Sequence, residues 1–110
     1  MSGRILCSLD ELAEGEPRGF SLAGELPLEL ILLRRGGQVL AYRNRCPHTG
    51  INLEWLPDQF LDHSGRYLQC ATHGALFRPE DGYCLRGPCA GYALEALPVV
   101  VKEGQVVLEE

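Results

Sequence analysis

Two short segments, CPHTG at residues 46–50 and CATHG at residues 70–74, decide how the rest of the chain is organised. Each segment offers one thiolate sulfur and one imidazole nitrogen, and a glycine follows each histidine within two positions. Together they form a ligand set of two cysteines and two histidines. Its members are Cys46, His48, Cys70 and His73. Sulfur and nitrogen donors in these numbers are typical of a metal site.

Two kinds of metal centre use such a set. One is a tetrahedral structural zinc ion, and the other is a [2Fe–2S] cluster in which two cysteines bind one iron and two histidines the other. Zinc fingers usually place both cysteines on one segment and both histidines on another. Here each segment carries one of each, and Gly50 and Gly74 favour tight turns beside the metal. This order favours a cluster held between two loops, with a zinc-stabilised binding module as the open alternative.

The two boxes resemble those of the Rieske family, which read C-x-H-x-G and C-x-x-H-G. The resemblance continues through Phe77 and the turn at residues 79–82. The segment Gly87-Pro88-Cys89 looks like the proline loop that covers the cluster in that family. The resemblance extends over roughly residues 3–108 and implies a Rieske-type [2Fe–2S] cluster as the cofactor.

The resemblance also implies a role for each ligand. Cys46 and Cys70 are expected to bind the inner iron. His48 and His73 are expected to bind the outer iron, with their imidazole edges facing solvent. A redox partner could then dock on the histidine side.

Two positions near the second box bear on the reduction potential. In respiratory members of the family, a serine and a tyrosine donate hydrogen bonds toward the cluster sulfurs, and the matching residues here are Ala75 and Phe77. Those members also carry a second cysteine pair, at positions matched here by Ile51 and Thr72. Hydrogen bonds to sulfur stabilise the reduced cluster and raise its potential. Their absence predicts a potential near the low end of the Rieske range, roughly −150 mV.

Length and composition indicate one domain over residues 1–110, large enough for a modest core. No apolar run is long enough to cross a bilayer, and residues 1–5 lack the pattern of a secretory signal, so a cytoplasmic protein is expected. A net charge of −5 argues against nucleic acid as a partner. Within residues 37–90, the acidic residues and the arginines are equal in number. The arginines near both boxes are expected either to keep the protein soluble or to orient the cluster end toward a partner.

Three cysteines lie outside the ligand set and fit a reducing compartment better than a disulfide framework. Cys7 is predicted to be a small apolar residue on a strand. Cys84 and Cys89 flank the expected proline loop, where packing is the simpler role; redox sensitivity and a bridge between them are the alternatives. His63 is predicted to be a solvated turn residue, and Trp55 to pack within the loop between the boxes.

Hydrophobic alternation and turn signals predict an all-β chain with an antiparallel Rieske-type sandwich or barrel, and two cluster-binding hairpin loops at one end. A capping box at Ser8 and Glu11 predicts one helical turn through Ala13. Hairpin turns are predicted at residues 36–37, 63–65, 79–82 and 103–104. Strands are predicted at residues 4–7, 20–22, 28–34, 38–43, 60–62, 67–69, 76–78, 83–85, 98–101 and 106–108.

The predicted function is that of a one-electron carrier, passing electrons from a reductase to an oxygenase or another redox enzyme. No nucleotide-binding glycine loop or second metal site is visible, so the chain is not expected to be an enzyme. Residues 49–69 make a longer segment than in the oxygenase-type ferredoxins that the chain most resembles, which leaves the partner open. The alternatives are a small Rieske subunit of a larger reductase complex of the nitrite-reductase type, a redox sensor, and the zinc-stabilised binding module.

Overall fold

The chain folds into short antiparallel strands. The computed structural model describes residues 3–22, 28–36, 38–45, 47, 53, 60–62, 64–70, 74–87 and 89–109. Within these residues there are nine strands in three three-stranded sheets, and the only helix is one short turn. No helix of the described residues is long and apolar enough to span a membrane. The predicted all-β, antiparallel fold is confirmed.

The strands follow the predicted order along the chain. They are β1 (Gly3–Ser8), β2 (Arg18–Leu22), β3 (Leu28–Arg35), β4 (Gln38–Arg43), β5 (Leu68–Gln69), β6 (Leu76–Phe77), β7 (Cys84–Arg86), β8 (Val99–Lys102) and β9 (Gln105–Glu109). The predicted strand at residues 60–62 is reduced to a single bridge between Leu61 and Leu68, because its partner β5 has only two residues.

The first sheet has the order β1-β9-β8 and joins the two ends of the described chain. Its β8–β9 hairpin turns at Glu103 and Gly104, which have φ angles of 52° and 76°, the conformation expected of a two-residue type I′ turn. The pairing of β1 with β9 is shifted between Ile5 and Cys7, which marks a bulge. Sequence patterns did not predict this pairing, since it joins residues about a hundred positions apart.

The predicted capping box at the end of β1 is present. The Ser8 N–H donates to the Glu11 carboxylate at 3.0 Å, and the Ser8 hydroxyl accepts from the Asp10 N–H at 3.3 Å. The helical turn is a 3-10 helix over Leu9–Glu11 and does not continue to Ala13 as predicted. It ends because Leu12 adopts an extended conformation and buries its side chain in the core.

The second sheet, β2-β3-β4, has β3 at its centre. Four consecutive β3 residues, 30–33, are buried, so this strand is covered on both faces. Leu30 and Leu32 pack into one apolar cluster with Cys7 and Val106, against the first sheet. Ile31 points the other way, because side chains alternate along a strand, and enters a second cluster. This sheet therefore separates two cores.

The third sheet, β5-β6-β7, is small and packs in the second cluster with Ile31. The turn between β6 and β7 is closed by Arg78, whose Nε–H donates to the Asp81 carboxylate at 2.9 Å. This hydrogen bond lowers the pKa of Asp81 to about 2. The buried Tyr42 of β4 donates its hydroxyl to the Pro79 carbonyl at 2.7 Å, and burial raises the pKa of Tyr42 to about 12. Tyr42 thus ties the second sheet to the third.

We expect Tyr42→Phe to lower the free energy of unfolding by about 1–3 kcal/mol, because the buried Pro79 carbonyl loses its donor. The measurement is urea unfolding followed by circular dichroism. Tyr92→Phe is the matched control, since the Tyr92 side chain is 67% exposed and its hydroxyl can be solvated in both states. Equal stabilities of the two variants would show that the Tyr42 hydrogen bond does not connect the sheets.

Candidate metal centre

The second box lies in the connection between β5 and β6, and its cysteine is fully buried. The Cys70 N–H donates to the Ala75 carbonyl at 2.9 Å, and the Gly74 N–H donates to the Cys70 carbonyl at 2.8 Å. Gly74 has a φ of 72°, a conformation that favours glycine. The two hydrogen bonds close a tight loop, and residues 71–73 fall outside the described residues.

The first box follows β4, and its flanks are tied together by Asn44. This residue is 4% exposed and is the buried polar side chain of the described core. Its Oδ1 accepts from the Leu53 N–H at 2.8 Å, and its own N–H donates to the Glu29 carbonyl at 2.8 Å. Residues 45–52 are therefore spanned by one side-chain hydrogen bond. The sequence analysis did not single out Asn44; its signal was a polar residue directly after a buried strand, two positions before the box.

The structure places one of the four predicted ligands. Cys70 is described; Cys46, His48 and His73 lie outside the described residues, and so do Trp55 and His63. The ligand set therefore stays a prediction. What the structure adds is the surroundings of Cys70, an apolar cluster that includes Ala75 and Phe77.

This environment fits a metal ligand. A thiolate buried among apolar side chains is unfavourable unless a nearby cation compensates its charge. A metal ion supplies that charge and deprotonates a coordinating thiol. With its turn held by backbone hydrogen bonds, Cys70 can contribute the sulfur donor that a zinc ion or an iron–sulfur cluster needs.

The segment predicted to cover the cluster contacts Ala75, the residue directly after the second box. Gly87 has a φ of 108°, and a Cβ built on it would lie 2.7 Å from the Ala75 Cα and 3.0 Å from the Ala75 Cβ. Only glycine allows this approach of the two backbones. Pro88 lies outside the described residues, but the position of Gly87 agrees with a loop that packs against the box.

The described cysteines outside the ligand set are buried, and no described pair forms a disulfide. Cys7 lies on β1, as predicted, and burial is the main cause that raises the pKa of its thiol. Cys84 and Cys89 are also buried, and their Sγ atoms are 3.2 Å apart. Sequence reasoning left a bridge between these two residues open, and the structure places them in contact as thiols.

An open surface cleft of about 290 Å³ adjoins the first box. The exposed residues Arg45 and Pro47 line it from the box side, and Ala93 and Glu95 line it from the opposite segment. Arg43 also lines the cleft, and its guanidinium lies 3.5 Å from the Glu95 carboxylate. Among the described acidic side chains, none forms an ion pair with Arg45. This surface is therefore a polar face with a positive charge beside the box.

Comparison with known proteins adds a family match. Residues 4–102, a stretch that includes both boxes, match the family model of the Rieske [2Fe-2S] domain. Among solved structures, the ferredoxin of carbazole 1,9a-dioxygenase from Nocardioides aromaticivorans IC177 is similar, with a TM-score of 0.77 and 26% sequence identity. The similarity covers 98% of this chain and 97% of that one. The fold and cofactor class expected from the sequence are confirmed.

Two curated proteins are also similar. The ferredoxin component of the alkene monooxygenase system of Xanthobacter autotrophicus is 28% identical over 103 residues, which cover 94% of this chain and 77% of that protein. The terminal oxygenase component of carbazole 1,9a-dioxygenase from a Sphingomonas species is 38% identical over 72 residues, which cover 66% of this chain. The matched part spans only 18% of that oxygenase component.

We expect Gly87→Ala to loosen the second box, because the added methyl group collides with the Ala75 backbone. The expected result is faster loss of bound metal, by roughly tenfold, for a local destabilisation of about 1.4 kcal/mol. The measurement is the rate of metal release to a chelator, followed by absorbance.

Gly91→Ala is the matched control for this change. Gly91 has a similar φ of 94°, but its Cβ would meet nothing within 4 Å. The control therefore carries the same backbone strain without the collision. Metal loss at the same rate from both variants would show that the contact of Gly87 with Ala75 does not hold the box.

Proposed function

The chain belongs to the Rieske [2Fe–2S] domain family, and we propose that it carries one electron at a time from a reductase to an oxygenase or another redox enzyme. The observation that carries this proposal is the placement of Cys70. It is a fully buried cysteine in a tight turn between two strands, within a family match that includes both boxes. Such a site suits a redox group that is held in a turn between strands.

We assign the cluster ligands as the sequence predicts. Cys46 and Cys70 would bind one iron, and His48 and His73 the other. When bound, the cluster supplies a site that gains and loses one electron. The chain's own part is to hold the ligands still. Buried apolar residues around Cys70 also limit the access of water, a factor that sets reduction potential.

The hydrogen bonds and contacts of the described residues hold the two boxes rigid. Asn44 ties the two flanks of the first box, the hydrogen bonds of Cys70 close the second, and Gly87 packs against Ala75. A redox site that keeps its shape on reduction has little reorganisation to undergo with each electron. This arrangement favours carriage of electrons over catalytic turnover.

The partners are inferred from the similar proteins. Two of them are ferredoxins, one of an alkene monooxygenase system and one of carbazole 1,9a-dioxygenase. By analogy, the acceptor of this chain is an oxygenase and its donor a reductase, and its place of action is the cytoplasm. Because a similar domain also forms part of a much longer oxygenase component, a subunit role in a larger redox complex is the second candidate. Co-purification with a large chain would favour that role.

The reduction potential is expected to be low. Ala75 and Phe77 are 1% and 0% exposed, respectively, and neither side chain can donate a hydrogen bond to sulfur. If they occupy the positions of the serine and tyrosine donors of respiratory relatives, the cluster lacks that stabilisation of its reduced state. We therefore propose a potential near roughly −150 mV, which suits a ferredoxin rather than an oxidant of quinols.

We expect the purified protein to contain two irons and two sulfides per chain, and Cys70→Ala to abolish both. The matched control is Cys7→Ala. Cys7 is also buried, but its side chain packs in the other group of apolar residues, against the first sheet. The measurement is iron and sulfide analysis, together with visible absorption before and after dithionite. The control should keep the bands that bleach on reduction.

A different metal content would contradict the proposal. A colourless protein with one zinc per chain would end the electron-transfer function and leave the binding module. Full iron content in Cys70→Ala would show that the cluster uses another ligand. A cluster whose potential lies far above the low end of the Rieske range would instead argue against the roles given to Ala75 and Phe77.

We expect the charge of Arg45 to affect electron exchange, because this arginine lies on the cleft beside the first box. In stopped-flow oxidation of the reduced protein at low salt, Arg45→Glu should slow the reaction with ferricyanide, an anion, by about threefold. It should speed the reaction with hexaamminecobalt(III), a cation. Both effects should fade as the salt concentration rises.

The matched control for this experiment is Lys102→Glu, which makes the same change of charge. The Arg43 N–H donates to the Glu95 carbonyl, and the Leu97 N–H donates to the Ala41 carbonyl. The segment after Glu95 therefore runs antiparallel to β4 and leads into β8, away from the first box. Lys102, at the end of β8, therefore lies toward the opposite end of β4. Equal effects of the two substitutions would show that only net charge matters and that the cleft is not the site of exchange.

A further inference from the structure

Two cysteines outside the predicted ligand set lie side by side in the core. Cys84 and Cys89 are each 1% exposed, and their Sγ atoms are 3.2 Å apart. We propose that these two residues form a reversible thiol–disulfide site, whose oxidised state restrains the end of β7 and the turn at Gly87 beside the second box. This site is separate from the cluster ligands and does not depend on the electron-carrier function.

The backbone holds the two sulfurs in place. The Cys84 N–H donates to the Tyr92 carbonyl at 2.8 Å, and the Tyr92 N–H donates to the Cys89 carbonyl at 2.9 Å. The Ala90 N–H donates to the Gly87 carbonyl at 3.1 Å and closes the turn that contains Cys89. A disulfide requires side chains that point toward each other from neighbouring backbones. Here the two Sγ atoms already lie 3.2 Å apart in the folded chain, before any bond forms.

The segment between the cysteines contacts Ala75, directly after the second box. Gly87 belongs to it, and this glycine approaches the Ala75 backbone too closely for any side chain. Ala75 in turn accepts the hydrogen bond of the Cys70 N–H. A cross-link between Cys84 and Cys89 would close residues 85–88 into a small ring beside this contact. The oxidised site would therefore restrain the loop that packs on the second box.

The reaction is a thiol–disulfide exchange with a low-molecular-weight disulfide of the glutathione class. The thiolate of one cysteine attacks the small disulfide, breaks its S–S bond and releases one small thiol. The second cysteine then attacks the mixed disulfide and releases the other small thiol. One S–S bond forms in the protein and one breaks in the oxidant, while two protons pass from the protein thiols to the released thiols. An excess of small thiol reverses both steps.

Burial sets the rate of this exchange. The neutral thiols are protected in the core, and only an exposed thiolate reacts. The end of β7 and the turn at Gly87 must therefore open before the first attack. Leu85, Arg86 and Gly87 are exposed, and short exposed segments open locally at low cost. The site should respond slowly to the thiol–disulfide ratio and should not react during a single electron transfer.

The holoprotein is equilibrated for hours in buffers whose glutathione ranges from fully reduced to fully oxidised. The samples are then quenched in acid, and all remaining thiols are alkylated. Trypsin cleaves after Arg86, so Cys84 lies on fragment 67–86 and Cys89 on fragment 87–102. Mass spectrometry therefore detects the disulfide as a linked pair of these fragments. We expect the linked fraction to rise from nearly none to nearly all as the buffer becomes oxidising, and to fall again after added dithiol.

Three variants separate the site from other thiols. Cys84→Ala and Cys89→Ala should each give no linked pair, although Cys70 also lies on fragment 67–86. Cys7→Ala should titrate like the natural chain. The proposal is overturned if the natural chain shows no linked pair even in fully oxidising buffer, or if Cys84→Ala still links the fragments through Cys70. The absence of a linked pair in fully oxidising buffer is tested on the natural chain alone, so a variant that fails to fold does not affect this outcome.

Discussion

The burial of β3 on both faces is the constraint on which the rest of the structure depends. Residues 30–33 are a run of leucines and one isoleucine, and all four are buried. Since neighbouring side chains point to opposite faces, this strand must be covered twice. The first sheet covers Leu30 and Leu32, and the third sheet covers Ile31. A strand of this kind cannot lie at the surface of a two-layer sandwich, so it forces the chain to build a core on each side.

The second of these cores contains the candidate metal centre. Ile31 shares a cluster with Phe77 and Cys70, so the box that follows β5 is anchored to the central strand through apolar packing. Tyr42 adds a directional tie, because its hydroxyl reaches the turn between β6 and β7. The short strands β5, β6 and β7 would be marginal by themselves, since two or three residues provide few ladder hydrogen bonds. Their position is set by the larger sheet that they pack against.

Most of the strands and the hairpin connections between β3 and β4, β6 and β7, and β8 and β9 were predictable from local sequence. The turn predicted at residues 63–65 includes His63, which lies outside the described residues. Glycines mark the turns at Gly36 and Gly104, where the structure shows the positive φ angles that these turns need. The pairing of β1 with β9 was not predictable, because it depends on long-range packing that no local pattern encodes. Asn44 was missed for a related reason: a single polar residue is informative only once its burial is known. At the candidate site, the spacing of the boxes identified the family, while the positions of three ligands remain predictions.

The two proposed kinds of sulfur chemistry share the second core. Cys70 belongs to the same apolar cluster as Cys84 and Cys89, with Ala75 between the box and the loop. A cluster ligand must stay rigid while electrons pass, whereas a thiol pair changes its bonding only when its loop opens. The two processes can coexist because they differ in timescale: electron exchange needs no opening, and thiol exchange needs local unfolding. The contact of Gly87 with Ala75 is the point at which the slower process can alter the faster one, since a restrained loop changes what packs against the second box.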